Sequence, residues 1–133
     1  MPTGQKPHVV IIEDDDMLAD FLVQRLTIEN FDCTRYATGK SALVGMRAAP
    51  DASLILLDIS LPDIDGFEVL TQIKKDARLA HTPVIITSNF SQEKDIAWGK
   101  QLGIERFLNK ASLVPSEIVD IVTDVIAQKK AAA

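Results

Sequence analysis

Short apolar runs alternate along the chain with longer segments in which apolar residues return every three or four positions. Residues 9–12 (Val-Val-Ile-Ile) and 54–57 (Leu-Ile-Leu-Leu) are apolar throughout, as expected of strands buried on both faces. Residues 17–28 carry Leu18, Phe21, Leu22 and Leu26 at helical spacing, and residues 67–75 place Phe67, Leu70 and Ile73 on one face. The same pattern predicts strands at 33–37, 84–87 and 106–108, and helices at 39–48, 93–102 and from 115 to about 127.

Five strands, each followed by a helix, predict an α/β domain built on a parallel sheet covered on both sides. Right-handed crossovers then favour an open, doubly wound sheet. Such sheets bind ligands outside the carboxyl ends of their strands, so the residues just after each strand carry the chemistry. Residues 1–7, with Pro2, Gly4 and Pro7, are expected to be a flexible N-terminus; 8–128 form the domain, and 129–133 read as a tail or linker stub.

Composition narrows the picture. The 133 residues suit one domain with one core. The longest apolar runs are far short of the ~20 residues that span a bilayer. The first residues are polar and lack the apolar core of a secretory signal, so a cytoplasmic protein with no membrane partner is expected. The single Cys33 excludes a disulfide framework and a cysteine-based zinc site. With 14 Lys+Arg against 19 Asp+Glu, the net charge of −5 argues against holding nucleic acid by its phosphates.

The acid is unevenly spread. Glu13, Asp14, Asp15 and Asp16 follow the first strand, and Asp58 ends the third, with Ser60, Pro62, Asp63, Asp65 and Gly66 after it. The fourth strand ends in Thr87-Ser88-Asn89 and the fifth in Asn109-Lys110. The topology would bring these carboxylates, a hydroxyl and an ammonium to one rim. Carboxylates crowded together repel one another and are costly to bury unpaired. A hard divalent cation relieves that repulsion, and Mg²⁺ prefers one or two carboxylates with waters and phosphate oxygens.

These residues resemble the receiver domain of bacterial two-component response regulators, CheY-like, from Val9 to Ala127. The resemblance rests on the acidic pair Glu13 and Asp14, on Asp58, on Leu-Pro-Asp-Ile-Asp-Gly at 61–66, and on Ser88 and Lys110. Ser88 lies thirty residues after Asp58 and Lys110 fifty-two, the spacings of this family. The resemblance implies a flavodoxin-like (βα)5 fold with strand order 2-1-3-4-5. It implies that Asp58 takes a phosphoryl group from a phosphohistidine, with Mg²⁺ held by Asp14, Asp58 and the Ser60 carbonyl. Glu13 would reach the metal directly or through a water, while Lys110 and the Ser88 hydroxyl contact the phosphoryl oxygens. Ser88 and Phe107 would form the switch. The implied partners are a sensor histidine kinase or histidine phosphotransfer protein and a downstream protein.

Other residues invite plainer readings. Asp15 or Asp16 suits a helix cap, Asp63 and Asp65 suit turn chemistry, His8 flanks a strand, His81 lies in a loop, and Cys33 is a small packed residue. Trp98 points away from Ile96 on its helix, and the last helix carries Val119 and Ile126 beyond its main apolar stripe. Either these residues are buried, or they offer an apolar surface to a partner or to a second copy of the chain. Three features depart from the family pattern. Ala111 replaces the usual Pro after Lys110, so a trans peptide is expected there. Asn89 replaces a small residue beside Ser88, and Phe90, which with Ser60 tunes acyl-phosphate lifetime in the family, is expected to shield the phosphorus from water.

Two other functions compete. A Mg²⁺-dependent phosphohydrolase of haloacid-dehalogenase type also uses an Asp after a strand, and Asp14-Asp15-Asp16 offers its Asp-x-Asp. Leu18, however, stands where that family carries Thr or Val. A nucleotide-binding flavodoxin-like module would need glycines or hydroxyls where this chain has four acids.

Overall fold

A computed structural model of the chain describes residues 6–89 and 92–132. Its strands are β1 (His8–Ile12), β2 (Asp32–Tyr36), β3 (Leu54–Asp58), β4 (Val84–Ser88) and β5 (Arg106–Asn109), all parallel in the order β2-β1-β3-β4-β5. The helices are α1 (Asp16–Ile28), α2 (Gly39–Ala48), α3 (Gly66–Lys75), α4 (Glu93–Gln101) and α5 (Pro115–Ala132), with one 3₁₀ turn at Lys110–Ser112. The doubly wound (βα)5 architecture is the one expected.

Side chains alternate across the sheet because successive strand residues point to opposite faces. Val9, Ile11, Leu54, Leu56 and Ile85 join Leu22 and Leu26 of α1 and Ile118, Val122 and Val125 of α5 in one core. Val10, Ile12, Ile55, Leu57, Val84 and Ile86 meet Met46 of α2 and Phe67, Leu70 and Ile73 of α3 in the other. Apolar burial on both faces locks the strand register. Ile12 therefore sits opposite Leu57, Asp58 opposite Thr87, and Ser88 opposite Asn109. That register places Glu13 beside Asp58 and sets Lys110 just beyond the end of β5.

The last helix runs further than expected, and its packing decides an alternative left open by the sequence. Residues 129–132, read as a tail, are helical, and Lys129 pairs with Glu105 at 2.7 Å. Val119 and Ile126 are buried, so they supply no exposed apolar surface for a partner. They are covered because α5 lies against both the sheet and α1, a wider contact than one stripe requires. Trp98, by contrast, is 48% exposed. Its ring stacks on Phe67 of α3, with centroids 4.6 Å apart and planes 12° apart. Gly99 is the one buried residue of α4, and the ring stack joins that helix to α3.

Candidate functional site

The acidic loop after β1 is organised by backbone and caps. The Glu13 amide extends the β1–β2 ladder by donating to the Tyr36 carbonyl at 3.0 Å. Asp15 caps α1, its Oδ1 accepting from the Met17 and Leu18 amides at 3.0 and 3.2 Å. Asp16 begins the helix and pairs with Arg35 at 2.9 Å. Asp14 is exposed and turned toward the rim.

Asp58 and Glu13 are almost completely buried. The Asp58 Oδ1 accepts from the Ser60 amide at 2.8 Å, and its Oδ2 from Lys110 Nζ at 3.0 Å. The same ammonium donates to Glu13 Oε1 at 2.8 Å, while Glu13 Oε2 accepts from the Asp15 amide at 3.0 Å. One oxygen each from Glu13, Asp14 and Asp58 lie within 4.8 Å of one another, close enough to hold a metal ion together. They line a cleft of about 490 Å³ with Ser60, Asn89 and Lys110. The expected acids, Ser60 and Lys110 thus meet in one place. Ser88 is buried at the end of β4, and Phe107 is half-buried against the core on the α2/α3 side.

A family model of the response regulator receiver domain matches residues 9–123. The chain belongs to this family. DivK, a polar-differentiation response regulator of Brucella ovis, is 32% identical over 85% of this chain and 91% of its own length. RpaA, a DNA-binding transcriptional regulator of Synechocystis sp., is 31% identical over 78% of this chain. That alignment spans only 43% of RpaA. Among solved structures, phosphorylated RcpA, a cyanobacterial phytochrome response regulator, superposes with a TM-score of 0.78. It is 28% identical, with 91% of each chain covered.

Electrostatics set the receiver's cleft apart from an ordinary ion pair. Burial pushes the Glu13 carboxyl up to about 7, and the Asp58 carboxylate adds to that push. The Lys110 and Asp15 hydrogen bonds oppose it without cancelling it. Burial also works against the Lys110 ammonium, but its bonds and charge attraction to Glu13 and Asp58 outweigh this and raise its pKa. Two buried carboxylates sharing one ammonium leave an excess of negative charge, which a cation would relieve.

The loop after Asp58 folds back tightly. Asp65 caps α3 by accepting from the Phe67 amide at 2.8 Å. A Cβ on Gly66 would lie 2.2 Å from the Ile59 Cα and 2.9 Å from the Asp58 carbonyl oxygen, so only glycine permits this approach. Asp63 does more than the turn chemistry expected of it. Its two oxygens accept from the Gly39 and Lys40 amides at 2.9 and 2.8 Å, tying the receiver's loop to the start of α2. Burial raises the Asp63 pKa, but these amide bonds outweigh it and hold the carboxyl below its usual range.

Nothing in the geometry favours the haloacid-dehalogenase reading. Its Asp-x-Asp requires Asp14 and Asp16 in one site, whereas Asp16 is turned to Arg35. No cis peptide occurs among the described residues, so the Lys110–Ala111 bond is trans as expected. Phe90 lies outside the described residues. Sequence reasoning missed Arg35, which donates to the Glu13 carbonyl at 2.9 Å and to Asp16 at 2.9 Å, and it missed the reach of Asp63 to α2. Neither contact has a local sequence signal, since the residues are 19 to 24 positions apart.

Proposed function

We propose that this receiver accepts a phosphoryl group on Asp58 from a phosphohistidine, carried by a sensor histidine kinase or histidine phosphotransfer protein in the cytoplasm. The observation that carries the proposal is the meeting of Asp58 with two further carboxylates and one ammonium in a single cleft. The phosphorylated relative RcpA supports it. An Asp58 oxygen forms the new bond to phosphorus while the bond from phosphorus to the histidine nitrogen breaks, its electron pair leaving with the imidazole. Phosphoryl transfer of this kind depends mostly on positioning and charge neutralisation.

Lys110, already 3.0 Å from Asp58 Oδ2, holds the acceptor in place and offers its N–H donors to the incoming oxygens. The Ser88 hydroxyl, at the end of the neighbouring strand, bonds another of them. The hard oxygen donors of Glu13, Asp14 and Asp58 fit Mg²⁺ by chemistry and spacing, and the Ser60 carbonyl would complete the set. When bound, Mg²⁺ neutralises charge on the transferring group. Ser88 then turns toward the phosphoryl group and Phe107 fills the space behind it, a repacking that a downstream protein reads near Trp98. The module is a phospho-acceptor and does not turn over substrate, apart from slow self-dephosphorylation.

Intact-mass spectrometry after incubation with acetyl phosphate and Mg²⁺ tests this reading. One phosphoryl adduct is expected on the wild type and none on Asp58→Asn. An adduct retained by Asp58→Asn, or bulk hydrolysis of the donor, would overturn it.

A further inference from the structure

Asp14 must face Asp58 if the two are to share a cation, yet its own side chain is not held. It is exposed and accepts no hydrogen bond from any described side chain or amide. Its direction therefore depends on the backbone to either side. Before it, the Glu13 amide is fixed to Tyr36, and the Glu13 carbonyl accepts from Arg35 Nε at 2.9 Å. After it, Asp16 Oδ1 accepts from Arg35 Nη2 at 2.9 Å. A single guanidinium on the edge strand β2 thus grips the residues on both sides of Asp14.

We infer that Arg35 is a positioning residue for the cation site, acting by holding the β1–α1 loop so that the Asp14 carboxylate faces Asp58. This rests on the cation-binding reading above. The planar guanidinium suits the task because it spans two acceptors with donors in a fixed geometry. The plainer alternative is an ordinary surface ion pair. Asp16 is 82% exposed, and pairs so exposed add little to stability, so the contact is weakly explained as a stabilising device.

The two readings give opposite signs. As a bare positive charge, Arg35 repels a cation, and its removal tightens binding. As a positioning residue, its removal lets the loop drift and loosens binding. Lysine preserves the charge but presents a single ammonium, which does not span both acceptors.

The test is a Mn²⁺ titration of the full chain at constant pH and salt, reading free ion by electron paramagnetic resonance. Wild type is expected to show one saturable site. Arg35→Gln and Arg35→Lys are each expected to raise Kd about tenfold, the scale on which groups that orient metal ligands act. If Arg35→Gln fails to fold, the charge-preserving Arg35→Lys carries the test alone. Arg35→Gln binding as tightly as wild type or tighter, or unchanged binding by Arg35→Lys, would overturn the role given to Arg35. Wild type with no saturable site would overturn the cation reading itself, and this inference with it.

Discussion

The two ends of the sheet carry similar side chains and treat them differently. At the amino ends of the strands, the His8 ring contacts Asp51 Oδ1 at 3.2 Å and Thr34 Oγ1 at 2.7 Å, with Lys6 and Asp32 lining the same hollow. The Asp51 side chain is 74% exposed, so water carries most of its charge. At the carboxyl ends, Glu13 and Asp58 are 3% and 2% exposed and share Lys110 between them. Acids beside a basic group do not make a site. What sets the carboxyl end apart is the burial of more carboxylate than the one neighbouring ammonium can neutralise, an excess that a further cation would relieve.

The strongest way to break this contrast is to remove Lys110. Lys110→Ala should slow phosphoryl uptake about a hundredfold or more, since it deletes a donor aimed at the reacting oxygens. Without divalent cation it should also cost about 3 kcal/mol of stability, because two carboxylates are left buried and unpaired. Mass-resolved uptake rates and urea denaturation measure the two effects. Gly66→Ala comes next. The added methyl meets the Ile59 backbone, so a loss of about 2 kcal/mol is expected, with slower uptake as Asp58 shifts.

A pH series sharpens the comparison. The Glu13 pKa of about 7 lies above its ordinary 4.5, so the folded state binds that proton more tightly than the unfolded chain. Cation-free stability from this group is complete below pH 4.5 and is lost as pH rises through 7. The melting temperature of wild type should therefore fall between pH 5 and pH 8 relative to Glu13→Gln. Saturating Mg²⁺ should shrink the difference, because the cation favours the ionised carboxyl. The smallest effect belongs to the amino end. Asp51→Asn should change stability by no more than about 0.5 kcal/mol and leave phosphoryl uptake unaltered.

Much of this was legible from the sequence because the strands are apolar on both faces. Residues 9–12 and 54–57 read as central strands, and placing them puts Glu13 and Asp58 side by side. The family spacing then leads to Ser88 and Lys110. Contacts between distant segments were not legible. Asp63 looks like a turn residue until α2 is seen to begin against it, and nothing about an arginine in an edge strand says where its guanidinium goes. The end of the last helix is not marked in the sequence, because its closing lysines and alanines lack an apolar face, although alanine is the best helix former. Its extra apolar residues Val119 and Ile126 could not be assigned from periodicity, which does not report how many neighbours a helix has.

Reductive trapping tests the central claim most directly. Wild-type protein incubated with Mg²⁺ and acetyl phosphate is treated with borohydride, which converts an aspartyl phosphate to homoserine, and the peptides are sequenced by mass spectrometry. Homoserine at position 58 alone, formed only when Mg²⁺ is present, is the expected result. Trapping at Asp14 or another carboxylate, or no trapping at all, would contradict the assignment of this cleft as the phosphoryl-accepting site.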